Sequence, residues 1–267
     1  MLDNDTVNRL AAELNSAQKQ RKQISQFSKR FPEMTVADGY RISRAWAAIK
    51  HQENRFTRGH KIGLTSRAMQ QMAQLTEPDY GTLFDDMFFA EGGDVPFDRF
   101  ITPMVEVELA FVLGKPLRGP QVTIFEVLAA TDFVVPAMEI IDTRIQRIDP
   151  ETKTMRKVQD TIADNAAGAG VVLGSSPIRP AEVDLRWVCA LLSKNSVIEE
   201  TGVAAGVLNH PANGVVWLTH KLSQWDEYLA AGEIVLGGSF TRPVSAAPGD
   251  TFHADYGTLG SISFRFV

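Results

Sequence analysis

The sequence predicts an α+β chain in which a short helical part precedes a larger, strand-rich domain. Three observations lead there. Val7, Leu10, Ala11 and Leu14 recur at i, i+3, i+4 and i+7, the stripe that an amphipathic helix buries. After Gly59 the apolar runs have strand character, over residues 60–64, 104–113 and 133–141. Towards the C-terminus, Pro248-Gly249-Asp250 and Tyr256-Gly257 signal turns, and residues 261–267 alternate apolar and polar as a final strand would.

Taken in order, the first helix ends in a polar, basic tail over residues 18–22. A second helix starts at Thr35. Thr35 and Asp38 form a capping pair, each side chain satisfying a free backbone N–H, and Trp46 falls on the buried face. Thr123 and Glu126 repeat that signature and place a short helix between strands 104–113 and 133–141. Residues 187–192 and 197–203 flank Lys194-Asn195-Ser196, which reads as a hairpin. Pro211 opens a helix through Val215, Val216, Leu218 and Leu222, because proline is tolerated in a first turn. These elements divide the chain into a helical part, 1–58, and a larger domain, 59–267.

The 267 residues carry a net charge of −5 and no long basic run, so a nucleic-acid surface is not expected. Cys189 is the single cysteine, which excludes an intramolecular disulfide; its apolar neighbours predict a buried structural thiol. The N-terminus is polar and acidic, and no stretch approaches the roughly 20 apolar residues a membrane helix needs. A cytoplasmic protein with no membrane contact is the expectation.

The chemistry is concentrated in Val105-Glu106-Val107-Glu108-Leu109. Alternate side chains of a strand share a face, so Glu106 and Glu108 point the same way. On that pattern alone, the two glutamates could simply face water. Glu139 changes the weighting, because it sits in the apolar run 133–141, where a charge needs a partner. Three carboxylates from two strands form an all-oxygen set that suits Mg²⁺ or Mn²⁺, whereas no His/Cys cluster has zinc spacing. The plainer alternative for Glu139 is an ion pair with Arg144. Lys61, between Gly59 and Gly63, is a candidate proton carrier, since a nearby cation disfavours its charged form. Asp79, in the turn Glu77-Pro78-Asp79-Tyr80-Gly81, could pair with it or position a water. Gly237-Gly238-Ser239 is either a carboxylate-binding turn or a simple tight one.

Residues 59–66 (Gly-His-Lys-Ile-Gly-Leu-Thr-Ser), 77–81, 105–108, 160–166 (Asp-Thr-Ile-Ala-Asp-Asn-Ala) and 236–239 together resemble the hydratases of meta-cleavage pathways, within the fumarylacetoacetase-like superfamily. The likeness spans the whole chain. It implies a mixed β-sandwich roll with flanking helices and a homo-oligomer, a pentamer or decamer. It implies a Mg²⁺ held by Glu106, Glu108 and Glu139, and water addition to a small 2-oxo-alkenoate. The expected substrate is 2-oxo-hept-4-ene-1,7-dioate, with Lys61 and Asp79 moving protons, and Ser66, Ser239 and Asp164 around the substrate. Asp164 could equally be a helix N-cap. Arg67, Arg144, Lys157 and Arg242 are the candidates for the distal carboxylate. Decarboxylation of a 2-oxo-enedioate, hydration of a shorter monocarboxylate, C–C hydrolysis and a non-catalytic partner subunit are the competing readings.

Overall fold

The computed structural model describes residues 1–72 and 76–267. Its helices are α1 (Asn4–Gln20), α2 (Phe27–Arg30), α3 (Val36–Gln52), α4 (Arg67–Met72), α5 (Ile124–Ala130), α6 (Val158–Ala163) and α7 (Ala212–Leu222). Its strands are β1 (Thr57–Gly63), β2 (Asp79–Phe84), β3 (Phe88–Phe89), β4 (Asp94–Val95), β5 (Met104–Leu113), β6 (Thr131–Ile141), β7 (Gly168–Leu173), β8 (Cys189–Lys194), β9 (Val197–Val203), β10 (Ile234–Leu236), β11 (Val244–Ser245), β12 (Thr251–Asp255) and β13 (Ser261–Phe266). They form two mixed sheets. The larger runs β2-β1-β10-β5-β6-β7-β3, with β11 also paired to β5, and the smaller runs β4-β13-β12-β8-β9.

The larger sheet is buried on both faces, and strand alternation decides which residues go where. Val105, Val107, Leu109 and Phe111 of β5 join Leu192, Phe252, Phe264 and Phe266 of the smaller sheet in one core. Ala110 of β5, Ala137 of β6 and Leu236 of β10 face the other way, against Leu10 and Leu14 of α1 and Ile42 and Trp46 of α3. The N-terminal helices therefore roof the face on which Glu106 and Glu108 stand. Burying each of those leucines contributes on the order of 2 kcal/mol, which holds the roof in place.

Both capping boxes form, at Thr35/Asp38 and Thr123/Glu126. Strands β5 and β9 coincide with the segments read from sequence, and Pro211 stands immediately before α7. The β8–β9 hairpin forms with β8 two residues later than the 187–192 reading, so that Lys194 pairs with Val197 and the turn is Asn195-Ser196. Cys189 is a correction. Its thiol is exposed, because the apolar run that carries it alternates: Ala190 and Leu192 point into the core, while Cys189 and Leu191 point out.

Candidate active site

Glu106 and Glu139 are directly opposed in the β5–β6 ladder, and Glu108 lies one step further along the same face. One oxygen from each falls within 4.8 Å of the others. Like charges placed across a ladder repel, and here they are also removed from water. Burial first, then the neighbouring carboxylates, push Glu106 up to about 7, although part of its side chain reaches the surface. Glu108 and Glu139 are shifted upward as well, with burial the leading cause.

Lys61 comes from β1, three steps from β6 in the sheet order. In a flat sheet that separation is about 14 Å, beyond the reach of a lysine side chain. Its Nζ nevertheless lies 3.3 Å from Glu139 Oε2, so the sheet must curl to bring the two strands face to face. Nζ also donates to the Ala166 carbonyl at 2.9 Å. Burial alone would push Lys61 down. Glu139, Asp79, Glu106 and Glu108 outweigh that and hold its ammonium above the ordinary lysine value. The surrounding carboxylates thus favour the ammonium, and a divalent cation held by them would act against it.

Asp79 opens β2 opposite Gly63. A Cβ at Gly63 would come within 2.3 Å of Asp79 Oδ1 and 3.4 Å of Lys61 Nζ, so only glycine leaves room for both groups. Burial drives the Asp79 carboxyl upward against the opposing pull of Lys61 and Arg156. Neither of its oxygens has a hydrogen-bond partner, and neither has an oxygen of Glu139; the 3.3 Å contact to Lys61 is an ion pair short of hydrogen-bond geometry. Unpartnered buried carboxylates are costly unless a cation joins them. This donor set, oxygen only and built on rigid strands, fits a hard divalent cation.

Gly238 completes the floor. Its N–H donates to Glu108 Oε2 at 2.7 Å from a backbone with φ +120°, and a Cβ there would strike the Thr65 side chain. Ser239 and Thr241 close a turn, with Ser239 Oγ donating to the Thr241 carbonyl at 2.9 Å. Ser66 is half-buried just before α4. Asp164 is not turned towards the cluster as a free group. Both its oxygens are held, one by Arg144 Nε and the other by the Arg144 and Ile145 amides and Arg156 Nη1. It stands between the C-terminal end of α6 and the N-cap position of a single 3-10 turn, Asn165–Ala167, but its side chain makes no capping hydrogen bond. Arg144 is thereby committed to Asp164, and Lys61 is the cation beside Glu139.

Two contributors were not among the site residues expected from the sequence. Tyr256 Oη donates to the Ala137 carbonyl at 2.6 Å and accepts the Glu108 amide at 3.3 Å, fastening the ladder beside the glutamates. Asn165, Ala166 and Ala167 all adopt positive φ (55°, 48° and 64°). Left-handed alanines are strained by about 1–2 kcal/mol each. The turn is held by Asn165, whose side chain pairs with both backbone groups of Thr82, and it aims the Ala166 carbonyl at Lys61.

A family model, fumarylacetoacetate (FAA) hydrolase C-terminal, matches residues 49–267. The chain belongs to this family. It is 61% identical over the full length of both chains to a 2-oxo-hept-4-ene-1,7-dioate hydratase of Escherichia coli. It is 40% identical to a 2-keto-4-pentenoate hydratase of Paraburkholderia xenovorans (strain LB400), covering 96% of this chain and 93% of that one. The solved structure of 4-oxalocrotonate decarboxylase from Pseudomonas putida G7, complexed with magnesium and adipate, superposes with a TM-score of 0.94 at 33% identity. That match covers 100% of this chain and 99% of the other. The family fold is the mixed, two-sheet α+β architecture described above.

Proposed function

We propose that this chain is a divalent-cation-dependent hydratase that converts 2-oxo-hept-4-ene-1,7-dioate and water to 4-hydroxy-2-oxoheptane-1,7-dioate. The observation that carries the reading is the 61% end-to-end identity to the E. coli hydratase. The three-carboxylate cluster supports it by supplying a place for the cation. Glu106, Glu108 and Glu139 would hold Mg²⁺ or Mn²⁺. Such an ion, when bound, supplies Lewis-acid stabilisation of charge on a substrate oxygen.

The chain's own residues do the rest. Asp79, buried and without a hydrogen-bond partner, is suited to take up and return a proton. A proton leaves C3 and one is added at C5, which moves the double bond into conjugation with the 2-oxo group. Water then adds at C4 and C3 is reprotonated. Lys61, kept as an ammonium by its carboxylate neighbours, contributes positive charge beside the developing enolate oxygen. The helical roof of α1 and α3 keeps bulk water off that face of the sheet.

The test is a Mg²⁺-dependent assay with mass spectrometry of the product, with Glu106→Gln as control. A product heavier by one water, lost in the control, is the expected result. The 0.94 TM-score to the decarboxylase supports a second reading on the same scaffold. Release of CO₂ without hydration would replace the hydratase with that one.

A further inference from the structure

A seven-carbon dioate brings a second carboxylate, and the cluster of acids gives it nothing to bind. The cations named from sequence are poorly available. Arg144 is spent on Asp164, Arg242 is exposed and paired with Glu200, and Arg67 and Lys157 are exposed. Arg147, in the segment that follows β6, is different. Its Nη2 is buried and has no hydrogen-bond partner. Its Nη1 rests on Met104 Sδ, and among the described residues Arg147 has no ion pair.

The acids that could have neutralised it are engaged elsewhere. Asp142 accepts the amides of Ile101, Thr102 and Thr143, and Asp164 serves Arg144 and Arg156. Burial, first, and the Arg156 charge weigh against the Arg147 guanidinium and prevail over the favourable fields of Asp142, Glu106 and Asp164, none of which is ion-paired to it. Arg147 is half-buried, with an Nη2 that no acid reaches, and a guanidinium with a free edge matches a carboxylate in geometry.

Position supplies the second argument. Met104 precedes Glu106 by two residues on β5, so it shares the carboxylate face, about 6–7 Å away along the strand. With carbon–carbon bonds of about 1.5 Å, the five bonds from C2 to C7 of an extended seven-carbon dioate span a similar distance. We propose that Arg147 is the specificity residue that receives the distal carboxylate of a dioate whose 2-oxo end sits at Glu106, Glu108 and Glu139. The proposal rests on the hydratase reading for its substrate class.

Binding of saturated analogues tests it without turnover. Titration calorimetry with Mg²⁺ present would compare 2-oxoheptane-1,7-dioate with 2-oxoheptanoate, which lacks only the distal carboxylate. The wild-type chain should prefer the dioate by about 10- to 100-fold, the worth of a charge-assisted hydrogen-bonded pair. Arg147→Met should erase that preference by weakening the dioate alone. Arg147→Lys, which keeps the charge and loses the fork, should retain part of it and decides the matter if the methionine variant does not fold. Equal weakening of both ligands, or no wild-type preference, overturns the proposal. Dioate-selective binding through Arg147 with no hydration of the unsaturated substrate would leave the subsite standing and remove the hydratase. Hydration of the dioate unaffected by Arg147→Lys or Arg147→Met would do the reverse.

Discussion

Two groups of buried acids lie close together in this molecule, and the fold treats them in opposite ways. In one, Asp142, Asp160 and Asp164 are saturated. Asp160 accepts the Ser28 amide at 2.8 Å, the Ser28 hydroxyl at 2.5 Å and the Lys157 amide at 3.0 Å, and Asp164 is clasped by two arginines. In the other, Asp79 and Glu139 keep all four oxygens without a hydrogen-bond partner, beside Glu106 and Glu108. Buried charge that is fully matched fastens elements together: here the β6–β7 connection, α2 and α6. Buried charge only partly matched, here by the Lys61 ammonium, is held against its own repulsion by the surrounding sheet, and it is where a cation and a substrate can act.

Substitutions in the two groups should therefore fail differently. Glu139→Gln should abolish Mg²⁺-dependent turnover, by at least about 10²-fold in kcat, with the fold intact by circular dichroism. Isothermal titration should find divalent-cation binding gone; full binding in this variant would break the contrast. Lys61→Ala and Asp79→Asn should each lower kcat by about 10²- to 10⁴-fold while the cation still binds. Asp164→Ala should do the opposite, stranding Arg144 and Arg156 at a cost of about 3–5 kcal/mol in stability. Urea denaturation reads that loss directly.

A smaller effect is expected from pH. The carboxyl of Glu106 is raised from 4.5 to about 7, so the folded state holds its proton more tightly than the unfolded chain does. The stability this contributes is full below about pH 4.5 and is lost as pH rises through about 7. Melting of the metal-free protein between pH 5 and 8 should show that decline, and Mg²⁺ should raise the melting temperature more at pH 8 than at pH 5. A flat metal-free profile would mean that the cluster carries no such strain. The smallest effect belongs to Cys189→Ser, within about 0.5 kcal/mol because the thiol is exposed. In the folded protein, that thiol should react with a disulfide reagent as a free cysteine does.

Much of this could be read from residue order because it depends on local periodicity. The spacing of Val7, Leu10, Ala11 and Leu14 dictates the first helix, and Thr35/Asp38 its neighbour's start. Alternation along β5 places Glu106 and Glu108 on one face whatever the rest of the chain does. The exposure of Cys189 is not legible in its neighbours, because an apolar run gives hydrophobicity without giving the phase of the strand. Only the tertiary structure could decide that Glu139 stands opposite Glu106, since register between strands is a long-range property. The same holds for Lys61 reaching Glu139 across a curled sheet, and for Asp164 turning to arginines instead of to the cluster. The Asn165–Ala167 turn was invisible because alanine carries no preference for a left-handed backbone. Its conformation is imposed by Thr82 and Lys61, more than eighty residues away in sequence. Sequence thus settled which side chains share a face, a matter of a few bonds. Which faces meet was left to packing, where sheet curvature and buried charge outweigh local preference.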